Sequence, residues 1–317
     1  MTGRWMERTL PEGWSRRDFL KAAGTAAVLA AVGTTGCAAR STPAITPTPD
    51  SVPVASGRLV VGSAETPREA VDKALDAYGG LAGIITEGDR VVIKANYSFA
   101  RPRDSGAANH PDVLVRIAER CRDAGASEVT VVDHTIDSGA VCLEKSGIKA
   151  EAIAAGFSAV CINSRGDFEE RTVPGTALKT ARTARRLADA DVFINAPVIK
   201  SHGSTRVTAG MKNLMGLVWD RQVFHSPGPL DTCIVELAGL LRPDLVIGDA
   251  FRVMKTNWPG GPGDLVHPRE IIVGDDQVAV DAYAAGLIGL KAEEVEYIGQ
   301  AAEAGLGSLD ISGLIRV

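Results

Sequence analysis

The 317-residue sequence predicts an α/β protein, a mainly parallel sheet with helices on both faces, built either as one layer or as two lobes with a cleft between them. Three observations carry this expectation. Short β-branched runs such as Arg58 to Ser63, Asp89 to Lys94, Asp191 to Ala196 and Pro243 to Gly248 alternate with helical stretches, the order of βαβ units. Asp89 to Lys94 (DRVVIK) is almost continuously apolar, as strands covered on both faces are. A hydrophobic content of 45% with 23% charge belongs to a folded chain, far from disordered composition.

Taken in order, Arg58 to Ser63 reads as the first strand. Thr66-Pro67-Arg68-Glu69 then opens a helix, with Thr66 as cap, proline at the first helical position and Glu69 three residues past the cap. That helix stops at Gly79-Gly80. The strand over Asp89 to Lys94 precedes a helix over Pro111 to Asp123, with Val113, Ile117 and Cys121 on one stripe, and a strand over Val129 to Val132. A helix over Cys142 to Ala155, a strand over Ser158 to Ile162 and a helix over Thr180 to Ala188 continue the alternation. They are followed by the strand Asp191 to Ala196, a helix over Thr232 to Leu240 and the strand Pro243 to Gly248. A last strand over Arg269 to Val273 leads to helices over Val278 to Leu287 and Ala292 to Ala304.

This domain is expected to span Arg58 to Val317. Ahead of it, Ser15-Arg16-Arg17-Asp18-Phe19-Leu20-Lys21 and the apolar run Ala22 to Val32 resemble a twin-arginine signal peptide covering residues 1–39. The run is too short for the ~20 residues a membrane span needs. Cys37 follows small residues and is placed either for lipidation, which would tether the chain to a membrane surface, or next to ordinary cleavage near Ala38-Ala39. Residues 40–57, rich in Pro, Thr and Ser, read as a linker. The chain is therefore expected to meet the twin-arginine translocase and to end in the periplasm or at the cell surface. A net charge of −5 argues against a nucleic-acid partner. Among Cys121, Cys142, Cys161 and Cys233 two disulfides are arithmetically open, but their places in helices and strands favour buried thiols. No CxxC pair is present, so no iron–sulphur cluster is expected.

In doubly wound sheets ligands bind beyond the C-terminal strand ends, and those ends are rich in polar groups here. Lys94, Asn96 and Arg101 follow one strand, Asp133-His134 another, Asn195, Lys200 and His202 a third, and Asp249 and Asp275-Asp276 two more. No GxGxxG or GxxxxGK[ST] opens a helix, so nucleotide binding has no motif support. The densest segment runs from Lys200 through His202, Thr208, Gly210, Lys212, Asn213 and Gly216 to His225, and reads as a long loop. Imidazole carries protons near neutral pH and ligates metals. A lysine that is desolvated or crowded by other cations loses basicity and becomes a base or nucleophile. His134, Lys200, His202 and Lys212 are therefore the catalytic candidates. Lys94, Asn96, Arg101, Asn213, Asp249 and Asp276 are candidates for holding a small anion, and His202 with His225 for a metal. His110 and His267 precede prolines and read as turn residues. Asp276 also suits the cap of the helix that follows, and His134 a backbone partner at its strand end.

The segments Val92-Ile93-Lys94-Ala95-Asn96, Ile194 to Pro197 leading to Lys200-Ser201-His202, Thr208 to Gly216, and Gly274-Asp275-Asp276 … Asp281 resemble the family catalogued as domain of unknown function 362. Some members of that family add an iron–sulphur module, for which this chain lacks the cysteines. The layout of Asp191 to Pro197, His202, Lys212 and His225 is also similar, distantly, to the nickel-pincer lactate racemases. That resemblance implies an organometallic cofactor anchored at Lys212, nickel ligation by His225, and substrate roles at Arg101 and His134. The sequence departs from it where Gly210-Met211 replaces a double glycine, and where His202 and His225 lie closer together. Two functions are expected from these residues: an enzyme acting on a small anion, or a binding protein that captures an anion or metal at the same rim.

Overall fold

In a computed structural model that describes residues 57–224, 230–257 and 263–317, the chain opens with β1 (Leu59–Ser63) and α1 (Pro67–Tyr78). Thr66 Oγ1 accepts from Glu69 N at 3.3 Å, and Gly79 closes the helix in the left-handed region at φ +105°. β2 (Arg90–Lys94), α2 (Pro111–Asp123), β3 (Glu128–Asp133), α3 (Gly139–Lys145), α4 (Ile148–Ala155) and β4 (Ser158–Cys161) follow. The next elements are β5 (Phe168–Thr172), β6 (Thr180–Ala184), α5 (Arg186–Asp189), β7 (Val192–Asn195), β8 (Val198–His202), β9 (Arg206–Thr208) and α6 (Gly210–Asn213). The chain continues through α7 (Leu230–Leu240), β10 (Leu245–Met254), β11 (Leu265–Val266), β12 (Glu270–Gly274), α8 (Gln277–Ile288), α9 (Glu296–Glu303) and β13 (Ile315–Arg316).

The main sheet runs in the order β13-β1-β12-β10-β7-β2-β3-β4. β10, β7, β2, β3 and β4 are parallel neighbours, and β12 joins antiparallel to both β10 and β1. The alternation of side chains along each strand splits the core in two. Val91, Ile93, Val129, Val131, Ile194 and Ile247 face the layer holding α1 and α2, with Val71, Leu75, Val113 and Ile117. Val92, Val132, Phe193 and Val246 face the opposite layer, where α6, α7, α8 and α9 pack. Helices thus cover both faces, as the apolar runs predict.

The structure corrects several elements. The expected helix over Cys142 to Ala155 is broken at Gly147, whose φ of +77° forces a turn between α3 and α4. The expected helix over Thr180 to Ala188 is mostly strand β6, paired with β5 in a separate two-stranded sheet. Its Ala181 and Thr183 are buried on one face, and Thr183 Oγ1 accepts from Arg171 Nε at 3.0 Å. A non-local partner overrides the helical composition there. The expected loop around Lys200 is the hairpin β8–β9, and Arg269 to Val273 becomes an antiparallel strand. Ala292 to Ala304 divides into a 3₁₀ turn and α9. Cys121, Cys142, Cys161 and Cys233 are free thiols. The signal segment, Cys37, the linker up to Ser56 and His225 lie outside the described residues.

Candidate functional site

Three parallel strands end side by side and deliver Lys94, Asp133 and Asn195. Register pairs Lys94 with Asn195 on one side and with Val132 on the other. Each end residue is buried, so each needs a partner. Lys94 Nζ meets Asp133 Oδ1 at 2.9 Å, and the carboxylate also accepts from Tyr97 N and Ser98 Oγ, both at 2.8 Å. Asn213, carried in by α6, joins the strand ends. Its Oδ1 accepts from Lys94 Nζ at 3.2 Å and from Asn96 Nδ2 at 3.1 Å, and its Nδ2 donates to Asn195 Oδ1 at 2.8 Å. Lys200, reaching in from β8, donates to Asn96 Oδ1 at 3.2 Å and Ala107 O at 2.6 Å, with its ammonium 5.8 Å from the Phe99 ring centre.

Two glycines and an aspartate explain the Gly-Met-Lys-Asn-Leu-Met-Gly run. Asp281, fully buried on α8, accepts from Gly210 N at 2.6 Å and Met211 N at 3.0 Å, pinning the start of α6. A Cβ on Gly216 would lie 2.5 Å from Asp133 Oδ1 and 2.6 Å from Lys94 Nζ, so the backbone must pass the ion pair without a side chain. Lys212, between these anchors, has Nζ 3.6 Å from Met215 Sδ.

These groups surround a cavity of about 170 Å³. Its cationic lining is Lys94, Lys200, Lys212 and Arg221, and no Asp or Glu is among the described lining residues. His202 and Thr208 complete the polar wall, with Phe99, Ile136 and Met215 as the apolar one. Burial holds the Lys200 amine down at about 7, with Lys212 and Lys94 pushing the same way against Asp133. Burial brings Lys212 to about 8, Arg221 adding to the effect and Asp231 opposing it. Lys94 is lowered by burial as well, although Asp133 opposes that. Thr208 Oγ1 and Arg221 Nε are buried without a hydrogen-bond partner among the described residues.

Of the residues proposed from sequence, Lys94, Asn96, Lys200, His202, Lys212 and Asn213 line this cavity together. His134 does not. Its ring stacks on Trp219 at 5.4 Å and 9°, its Nδ1 bonds Val218 O at 2.8 Å, and burial lowers its pKa. Arg101 is also outside the cavity lining. Asp249 accepts from His110 N at 2.7 Å and Asn109 Nδ2 at 3.3 Å, bracing a loop rather than the cavity. Asp276 caps α8 through Val278 N and Ala279 N at 2.8 and 3.0 Å, and holds Ser308 N at 2.8 Å. His110 caps α2, as a turn residue would. Sequence reasoning missed Asp133, Asn195, Thr208 and Arg221 as members of the site. For the first two the available signal was a polar residue ending a buried parallel strand. Thr208 sits opposite Lys200 in the β8–β9 register, which only the hairpin reveals.

Of the two histidines expected to hold a metal, His225 lies outside the described residues and His202 lines the cavity. His202 Nδ1 already accepts from Ser204 N at 3.1 Å and Thr205 N at 3.2 Å. No group of three His, Cys, Asp or Glu side chains comes together among the described residues. Ammonium and guanidinium groups suit an anion rather than a cation.

The fold and cavity define an α/β protein whose cationic site lies at the C-terminal ends of a parallel sheet. The chain belongs to the family described as Domain of unknown function (DUF362), whose model matches residues 91–286. It is 26% identical over 204 residues to the "Thylakoid-associated protein sll1697" of Synechocystis sp., covering 62% of this chain and 61% of that relative. This chain thus spans less than two thirds of that relative's length. Among solved structures it resembles a structural-genomics target from Thermotoga maritima, at TM-score 0.48 and 13% identity, over 71% of this chain and 59% of the other. It also resembles the lactate racemase apoprotein from Thermoanaerobacterium thermosaccharolyticum, at TM-score 0.46 and 14% identity, over 75% and 57%. Neither likeness bears on activity.

Proposed function

We propose that the chain is an enzyme that binds a small organic anion in the Lys94–Lys200–Lys212–Arg221 cavity and exchanges protons with it through Lys200 and His202. One observation carries the reading: four cationic side chains face a cavity of about 170 Å³ that no described carboxylate lines. Cations gathered in a partly dehydrated space repel one another, and an anion relieves that repulsion with charge-assisted hydrogen bonds. A lysine near 7 is half protonated at neutral pH, the condition for moving a proton either way. His202 accepts at Nδ1 from two backbone amides, which leaves the neutral ring's proton on Nε2.

Calorimetric titration of the full chain with propionate tests the anion site. Saturable binding that weakens at least tenfold in Lys212→Met is expected, since one charge-assisted bond contributes about 1.5–3 kcal/mol. No saturation at millimolar propionate, or equal affinity in the variant, would overturn the reading. We propose in addition that the chain is exported folded by the twin-arginine route, which rests on Arg16-Arg17. Retention of an Arg16→Lys/Arg17→Lys variant in the cytoplasm is the expected outcome, and unchanged export would remove it.

A further inference from the structure

Resting on that anion site, we infer that Lys200 forms an imine with the keto group of a small 2-oxo acid whose carboxylate is held by Lys212 and Arg221. The geometry divides labour among the cations. Lys94 is tied to Asp133 at 2.9 Å and so is committed to the network at the strand ends. Lys200 donates to Asn96 Oδ1 and Ala107 O, bonds that position its nitrogen at the cavity wall. Lys212 and Arg221 line the same cavity, and Arg221 Nε lacks a partner among the described residues. A planar guanidinium beside an ammonium is the usual way to seat a carboxylate. A carbonyl next to that carboxylate would then be directed toward the neighbouring amine.

Thr208 supplies the second, independent observation. It lies directly across the hairpin from Lys200, and lines the same cavity at 4% exposure. Its hydroxyl has no hydrogen-bond partner among the described residues. A buried hydroxyl left unsatisfied is destabilising, so its place beside the amine points to a polar group that arrives with the ligand. The oxygen of a carbonyl attacked by Lys200 is such a group.

The chemistry balances without an oxidant or reductant. Neutral Lys200 Nζ adds to the carbonyl carbon, a C–N bond forms, and the π pair moves to oxygen, which takes a proton. Thr208 donates a hydrogen bond to that oxygen in the carbinolamine. Loss of the hydroxyl with a proton releases water, and departure of the remaining N–H proton leaves the imine. His202, two residues along β8 on the same face, is placed to relay these protons. Burial favours the route, because the lowered basicity of Lys200 leaves much of the amine neutral at pH 7.

The test is trapping. The full chain is incubated at pH 7 with pyruvate and cyanoborohydride, with and without excess propionate, and the modified lysine is located by peptide mass. One reduced pyruvate adduct on Lys200, suppressed by propionate and slowed at least tenfold in Thr208→Val, is the expected result. The absence of an adduct, or one on Lys94, Lys212 or surface lysines alone, would overturn the imine. If propionate binds and pyruvate is not trapped, the imine falls and the anion site stands. If neither occurs, both fall.

Discussion

Two clusters of charge in this molecule obey different rules. On the outer layer, α1 and α2 interleave three arginines with four carboxylates, Asp72, Asp76, Glu119 and Asp123. Arg68 meets Glu119 at 2.5 Å, Arg116 meets Asp72 and Glu119 at 2.8 Å, and Arg120 meets Asp72 and Asp76 at 2.8 and 2.6 Å. These side chains are partly open to water, so their pairing is shielded and contributes little. At the strand ends, four cations face a cavity while Asp133 pairs with Lys94 from behind it. In the outer cluster every arginine has at least one carboxylate partner, whereas the inner one gathers four cationic groups around a single paired carboxylate in a largely buried space. Matched pairing marks a structural network, and the unmatched cations are what the proposed anion site rests on.

Removing the inner carboxylate is the hardest test of that distinction. Asp133→Ala strands the Lys94 ammonium and takes away the acceptor for Tyr97 N and Ser98 Oγ. A loss of about 3–5 kcal/mol is expected in urea unfolding; a loss below ~1 kcal/mol would put the inner pair on a par with the outer ones. Gly216→Ala comes next, because its Cβ would sit 2.5 Å from Asp133 Oδ1 and 2.6 Å from Lys94 Nζ. Overpacking of that kind costs about 1–3 kcal/mol. Displacement of Lys94 should also weaken propionate binding, which calorimetry would read. Wild-type stability and affinity in this variant would mean that the backbone can move aside.

The contrast also explains what the sequence could reveal. Lys94, Lys200, Lys212 and Asn213 were legible because they follow apolar strands or sit in a segment dense with cations. Chain position thus carries part of the site. The parallel core was legible for the same reason, since strands buried on both faces leave continuous apolar runs such as Val91-Val92-Ile93. Asp133 was overshadowed by His134, whose chemistry is more versatile but whose ring turns away to stack on Trp219. Asp249 and Asp276 sit at similar strand ends, yet their oxygens go to local backbone amides. Which carboxylate meets a lysine is decided by side-chain direction and neighbours distant in sequence. β6 was missed on the same ground, because its strand state depends on pairing with β5.

Protonation sharpens the comparison further. Lys200 falls to about 7 in the folded chain, against about 10.4 when unfolded. Between those values the unfolded chain keeps a proton that the folded one has released, so stability gained from this residue rises with pH from about 7 toward 10. Propionate affinity moves the other way, because Lys200 and Lys212, at about 7 and about 8, lose the charge that attracts it. An affinity loss of about tenfold between pH 7 and 9 is expected. Unfolding measured across this range in Lys200→Met should lack the rise attributed to Lys200. A rise of equal size in the variant, or affinity that holds to pH 9, would show that these amines are charged throughout.

The smallest effect belongs to the outer cluster. Arg68 is 44% exposed and pairs with Glu119, which keeps Arg116 as a second partner at 2.8 Å. Arg68→Ala is therefore expected to cost no more than about 1 kcal/mol. In 1 M salt, where the screening length is about 3 Å, even that difference should shrink toward zero. Asp133→Ala offers the opposite expectation under the same salt, because ions do not reach a pair that is 0–1% exposed. Urea unfolding of both variants at low and high salt decides the matter. Equal salt sensitivity in the two would mean that solvent enters the inner pair, and its charge would then no longer distinguish a binding site from a surface.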